Sequence, residues 1–326
     1  MAVIKVRTNQ QKDDVKSTLS SSSSSSSSSV WSDIPRRFFT ICVGVPAIWK
    51  LLQQPTLAYV FFMGAHGLCI WEFTLLEPSG TSSNHKKPSL LSRVGVSITS
   101  VVLASSVPNN DTIFFLLLVL TAGTFVMMQR RHWLTGLLLL TIPFRSWAQI
   151  QLRYDDAFIN SVSLLLVVWN ADTGAMLMGR IAGIAIRTYP SLNRLPMPQW
   201  ILQISPKKSM EGFLGGILGG VWTAVQWIPW IVHWTSPSSR SDTFDSIWLT
   251  SSWRQRAVLG AVLSVLAIIG DLTESSIKRQ SQAKDSGSIL PGHGGILDRF
   301  DSSLLAVLFY QVIYCRIEET NSKTKL

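Results

Sequence analysis

Charge is scarce in this chain. Only 15% of its 326 residues are Asp, Glu, Lys or Arg, while 47% are hydrophobic; soluble domains carry about 25% charged residues. That deficit argues against an ordinary soluble domain and for a bilayer as solvent. Cysteine is scarce as well. Cys42, Cys69 and Cys315 all lie in apolar surroundings, a spacing that excludes a disulfide framework or a zinc site and suits small buried hydrophobes. No internal repeat is evident, so the membrane portion reads as one domain. What the chain does have is tryptophan, 13 in all, and a net charge of +10. Tryptophan favours membrane interfaces. In a soluble protein the charge would suggest a nucleic-acid partner. Here the basic residues sit mostly between apolar runs, where they orient helices and attract anionic lipid or nucleotide; no nucleic acid is expected.

Residues 1–35 are polar, with serine throughout Ser20–Ser29. Such a segment cannot bury enough apolar surface to offset its ordering entropy, which predicts a disordered tail that is dispensable for chemistry. Its serine content, with Lys5 and Arg7, is like that of a transit peptide. Asp13, Asp14 and the lack of a cleavage motif run against that. The sequence does not choose among plastid, endoplasmic-reticulum and mitochondrial membranes. Apolar runs follow near 38–52, 56–76, 91–107, 112–129, 133–150, 158–178, 211–233, 254–275 and 302–316. Several fall short of the roughly 20 residues a crossing helix needs. The expected fold is an all-α, polytopic integral-membrane helical bundle with about eight or nine transmembrane helices. Its expected parts are the 1–35 tail, N-terminal transmembrane helices over 36–157, a catalytic transmembrane region over 158–318, and a polar C-terminal tail over 319–326. Basic loops around Arg130–Arg131, Arg180 to Arg194, Lys207–Lys208 and Lys278 to Lys284 mark the uncrossed side, and Pro237–Asp245 suits the other.

Ionisable residues at membrane depth are costly and point to function. Three clusters stand out. The first, Trp169 to Ala175, follows directly on an apolar stretch and places Asp172 at or just inside a helix end. Its carboxylate suits a metal or a nucleotide hydroxyl, or equally a helix cap or a pair with Arg180. The second places Lys207 and Lys208 just before a glycine-rich apolar helix, with Ser205 as N-cap and Pro206 at the first helical position. Lysines at a helix start suit phosphates; the alternative is a topology signal, with the glycines serving helix packing. The third runs from Gly270 to Asp301. On a continuous helix Asp271, Ser275 and Lys278 share one face. Gly292, Gly294 and Gly295 then let backbone amides approach a phosphate closely. Asp298 and Asp301 lie one turn apart beyond them. Carboxylates on either side of a glycine-rich loop suit Mg²⁺, a hard cation that takes oxygen ligands and substrate phosphates. Glu274 and Lys278 equally suit a surface i, i+4 pair, and His293 a loop donor without chemistry.

The third cluster resembles the signature of phosphatidate cytidylyltransferases. Ser275, Lys278, Arg279, Lys284, Asp285, Gly287, Leu290, Pro291, His293, Gly294, Gly295, Asp298, Arg299 and Asp301 match it in order and spacing. The Asp172-Thr-Gly-Ala stretch and the Ser205-Pro-Lys-Lys to Gly216 stretch look like further landmarks of that family. The resemblance is strong over about 160–316. Met176 and Met210 stand where aromatics are common, and the Gly270-Asp271-Leu272 start is closer to the bacterial and plastid branch. The resemblance implies a multi-pass membrane enzyme, often a homodimer, that makes CDP-diacylglycerol from CTP and phosphatidic acid. It also implies Mg²⁺ held by Asp271 and Asp298, with a monovalent cation such as K⁺ possible beside it.

On that reading the phosphatidate phosphate oxygen attacks the α-phosphorus of CTP, and catalysis is positioning plus charge neutralisation. Lys207, Lys208, Lys278 and Arg299 offset the repulsion between two anionic substrates. His293, Gly294 and Gly295 hold the lipid phosphate or the leaving pyrophosphate. Asp172, Ser275, Arg279 and Lys284 are expected among the substrate contacts. Two rivals are another CTP-using membrane enzyme, such as a polyprenol kinase, and a transporter. Concentration of the charged clusters in the C-terminal half favours an enzyme.

Overall fold

Apolar runs without β-branched alternation form helices in a bilayer, because only a helix satisfies its own backbone there. The computed structural model describes residues 44–76, 89–105, 111–127, 131–153, 156–189, 191–235, 247–289 and 294–324. The 1–35 tail, the 237–245 segment and His293 lie outside them. Residues 44–50 are helical and belong to a small separate unit. The larger unit is all-α among its described residues. It contains α1 (Pro55–Leu75), α2 (Leu90–Ser105), α3 (Asp111–Met127), α4 (Arg131–Arg153), α5 (Ala157–Thr188) and α6 (Gln199–Ile204). Then follow α7 (Met210–Thr235), α8 (Ile247–Thr250), α9 (Trp253–Gln280) and α10 (Leu297–Thr324). Among the described residues four helices, α1, α5, α7 and α9, are long and apolar enough to cross a membrane. Outward-facing Leu116, Val119, Ile184, Leu218, Trp230 and Val258 are all exposed, as lipid-facing side chains are.

Two local expectations are corrected. Asp172 is not at a helix end. It lies inside α5, which continues to Thr188 and carries Arg180 and Arg187 on the helix. Glycines at 174, 179 and 183 cost helix propensity, but two of them abut α7, and that packing outweighs the cost. Nor does α7 begin at Ser205–Pro206. Ser205 closes α6, its N–H donating to Ile201 O at 2.8 Å, and the cap of α7 is Ser209, whose Oγ accepts from Gly212 N at 3.1 Å. Lys207 and Lys208 thus lie in the turn just before α7. The start of α9 is fixed by a reciprocal pair. Ser252 Oγ accepts from Gln255 N, and Gln255 Oε1 accepts from Ser252 N at 2.8 Å. A π-turn at Thr223–Trp227 interrupts α7, beside Thr223, whose hydroxyl donates back to Gly219 O at 2.9 Å.

Three sets of packing contacts position the site. Helices α5 and α7 meet backbone to backbone: a Cβ on Gly215 would meet the Met178 side chain and lie 2.6 Å from Gly174 O. Small residues permit this approach, and dispersion then holds the pair where lipid supplies no hydrophobic drive. Helix α9 packs against both α7 and α10. Helices α1, α4 and α10 share an aromatic core, in which Phe62 stacks on Trp147 at 4.3 Å and Phe300 meets Phe144 at 5.3 Å. Beside this core Tyr310 Oη donates to Asn160 Oδ1 at 2.7 Å, a buried polar pair between α10 and α5.

Candidate active site

Helices α5, α7 and α9 and the first turns of α10 surround a cavity of about 560 Å³. Its ionisable lining is Asp172 and Arg180 from α5, Lys207 and Lys208 from the turn before α7, Asp271 from α9, and Asp298 and Asp301 from α10. Ser302 joins them, and Met176, Phe213 and Ile268 supply apolar wall. Two groups of ion pairs hold the carboxylates. Lys208 Nζ donates to Asp271 Oδ2 at 2.5 Å, and Ser275 Oγ donates to Asp271 Oδ1 at 3.3 Å. Lys278 Nζ lies 2.5 Å from Glu274 Oε2 and 2.7 Å from Asp298 Oδ1. Asp298 also accepts from Gly295 N at 2.8 Å and from Ser286 N at 3.1 Å. Ser302 Oγ bridges Asp172 Oδ2 and Asp301 Oδ1, at 3.1 Å to each.

The environment of Asp298 sets its charge. Burial alone would raise its carboxyl. The Lys278 ammonium and the Gly295 and Ser286 amides override that and hold it below the usual carboxylate range. A carboxyl depressed on folding contributes its full stability above its unfolded pKa of about 3.9. That contribution is lost as pH falls through the lower folded value. Acid titration of the purified protein should therefore loosen the Ser286–Gly295 connection only below the ordinary carboxylate range.

The expected residues divide by position. Asp172, Lys207, Lys208, Asp271 and Asp298 all face the one cavity. Lys278 stands behind Asp298, and the surface i, i+4 pair is corrected: Glu274 and Lys278 are 2% and 8% exposed. They are buried because α10 and the loop before it cover this face of α9. Ser275 orients Asp271. Arg279 is outside the lining; its guanidinium donates to Ile204 O at 3.2 Å and Ala283 O at 3.3 Å, tying α6 to the end of α9. Lys284 and Arg299 are exposed and outside the lining. Gly294 has φ +81°, a conformation other residues rarely adopt, and a Cβ there would lie 2.9 Å from Asp298 Oδ2. The N–H of Gly295 is directed at Asp298 rather than into the cavity.

Asp301 and Ser302 also stand in the lining; the sequence reading placed Asp301 one turn from Asp298 and in the family signature but did not count either residue among the expected site residues. Their one-turn spacing from Asp298 was the available signal. Glu72 was missed altogether: fully buried near the end of α1, it bonds to the loop before α10. Its signal was a single carboxylate in the apolar run 56–76.

The donors facing the cavity are hard oxygens, and the nearest cations are ammoniums. Among the described residues, no group of three or more His, Cys, Asp or Glu side chains is arranged to hold a metal unaided. The carboxylates of Asp271 and Asp298 facing one cavity are the kind of oxygen donors Mg²⁺ takes, its remaining positions being filled by phosphates and water.

Apolar helices around a cavity lined by four carboxylates, two lysines and Arg180 define a membrane-embedded protein with a highly charged site. The model of the cytidylyltransferase family matches residues 35–317, and the chain belongs to that family. It is 31% identical over 288 residues to the phosphatidate cytidylyltransferase of Bacillus subtilis strain 168, covering 85% of this chain and 87% of the relative. It is 33% identical over 170 residues to the phosphatidate cytidylyltransferase of Synechocystis, covering 52% and 47%. Over 148 residues it is 37% identical to the one of Staphylococcus epidermidis, covering 45% and 46%. The chain thus spans about half the length of the latter two relatives and most of the first.

Proposed function

We propose that this chain transfers CMP from CTP to phosphatidic acid, giving CDP-diacylglycerol and pyrophosphate. The observation that carries the reading is one cavity with Lys207 and Lys208 on one wall and Asp271 and Asp298 on the others. A phosphatidate oxygen forms the new bond to the α-phosphorus of CTP. The bond to the β-phosphate oxygen breaks, and its electron pair leaves with pyrophosphate. No protein nucleophile is needed; the work is positioning and charge neutralisation. Lys207 and Lys208, before the positive end of α7, attract the phosphates. Lys208 exchanges its bond with Asp271 for one to a phosphate oxygen, which frees the Asp271 carboxylate. Asp271 and Asp298, with Asp172 and Asp301 nearby, would hold Mg²⁺, which when bound would supply positive charge against the phosphates and the charge developing on them. Lys278 and the loop amides keep the Asp298 carboxylate ionised and aimed. The apolar helices let the acyl chains enter from the bilayer.

Lys208→Ala should raise KM for CTP or phosphatidate by about tenfold or more, since a hydrogen-bonded charge pair contributes on the order of 1.5–3 kcal/mol. Lys207→Ala, at an exposed position, should have a smaller effect of the same kind. Steady-state kinetics in detergent micelles checks both, and unchanged constants in both variants would leave the lysines a topology signal only. The proposal extends to eight or nine membrane crossings and a homodimer, which cysteine-accessibility labelling and cross-linking in membranes test. The function itself is tested by product analysis from CTP and phosphatidate. CDP-diacylglycerol supports it; CDP with a phosphorylated lipid would mark a kinase.

A further inference from the structure

Glu72 lies near the end of α1, more than 200 residues from the cluster in the sequence, and its side chain is fully buried. It is bonded to one short region. Oε1 accepts from Ile296 N at 3.1 Å, and Oε2 accepts from Leu297 N at 2.9 Å and from Ser286 Oγ at 3.1 Å. Ile296 and Leu297 are where α10 begins, so Glu72 caps that helix from another element. It places a carboxylate at the positive end of the helix, where unsatisfied N–H groups converge. The glycines beside it are matched to the carboxylate. A Cβ on Gly287 would lie 2.5 Å from Glu72 Oε1, and one on Gly295 would lie 2.5 Å from Oε2.

The bonds of Glu72 interlock with those of Asp298. Ser286 gives its hydroxyl to Glu72 and its N–H to Asp298. Gly295 gives its N–H to Asp298, and the next two residues give theirs to Glu72. Two carboxylates therefore clasp both ends of the loop between Ser286 and Gly295. One of the two, Asp298, faces the cavity, and the other reaches the loop from α1. We propose that Glu72 is a positioning residue that sets the aim of the Asp298 carboxylate, and so couples the N-terminal helices to catalysis. It touches no substrate on this view; it acts through Ser286, Ile296 and Leu297. The inference rests on the functional reading above.

The experiment compares wild type, Glu72→Gln and Ser286→Ala, each as the purified full chain in detergent. Glutamine keeps the size and one acceptor but turns the other oxygen into a donor facing an N–H. Kinetics, thermal unfolding and hydrogen–deuterium exchange of the amides at 294–297 are read together. Glu72→Gln should remain folded, lose about tenfold or more in kcat with KM for CTP and phosphatidate little changed, and exchange faster at 294–297 than elsewhere. Ser286→Ala, which keeps the backbone bond to Asp298, should show the same pattern at smaller size. A merely structural role would lower the unfolding temperature and speed exchange throughout α1 and α10, leaving kcat per folded molecule as in wild type. Wild-type kcat in folded Glu72→Gln, or unchanged exchange at 294–297, overturns the proposal. If Glu72→Gln does not fold, Ser286→Ala decides: unchanged kcat and unchanged local exchange overturn it. A wild-type chain inactive on CTP and phosphatidate would instead remove the functional reading, while the exchange data still test the clasp.

Discussion

Asp271→Asn and Asp298→Asn should each cut turnover by about a thousandfold while the protein stays folded. Asparagine keeps the size and one acceptor oxygen, so packing around α9 and α10 survives. It removes the negative charge, and a hard cation holds poorly to neutral oxygens when so few carboxylates serve it. The two variants should differ in detail. Asp271 is bonded to Lys208 and Ser275, so its asparagine frees an ammonium into the cavity. Its loss should fall almost wholly on kcat. Asp298 also holds Gly295 N, Ser286 N and Lys278, so its asparagine should loosen the loop as well and lower the unfolding temperature. If these residues only capped a helix or paired with a lysine, the cost would be about 1 kcal/mol of stability and little activity. Mg²⁺-dependent product formation by both purified variants, with thermal unfolding alongside, separates the cases.

The second large effect is structural. Gly215→Ala should destabilise the protein by about 2–3 kcal/mol, because its Cβ has no space between α7 and α5. The atoms it would meet include Gly174 O at 2.6 Å, and backbone cannot rotate away. Separating the two helices would also widen the cavity between Asp172 and Lys208, so activity should fall with stability. Gly64→Ala is the matched control, also a glycine inside an apolar helix. Nothing lies within 4 Å of a Cβ at that position, so alanine should be neutral or gain about 0.5–1 kcal/mol from helix propensity. Thermal unfolding of the pair in one detergent checks both signs. Equal effects would mean that the α5–α7 contact is not close.

Much of this was legible because a bilayer simplifies the code. Apolar runs over 56–76, 91–107, 112–129 and 133–150 correspond to α1 through α4 with ends shifted by a few residues. The charged residues singled out among the apolar runs, Asp172, Lys208, Asp271 and Asp298, do converge on one cavity. What stayed hidden depended on tertiary contact. The length of α5 could not be read from propensity, since the glycines that suggest an end are those that pack on α7. Helical geometry lets Lys278 align with Asp271 or turn to Glu274, and only the approach of Asp298 from α10 selects the second. Glu72 carries no local motif. Its meaning appears only when α1 meets a loop far along the chain, through backbone N–H groups that look the same in every sequence.

The central claim is nucleotidyl transfer at this cavity, and position-specific labelling of CTP tests it most directly. The purified chain is incubated with Mg²⁺, phosphatidate and CTP labelled at either the α- or the γ-phosphorus. The account predicts that α-label enters the lipid fraction as CDP-diacylglycerol and γ-label leaves as pyrophosphate in equal amount, with both lost in Asp271→Asn. Transfer of γ-label to lipid with release of CDP, or full transfer by Asp271→Asn, would contradict it.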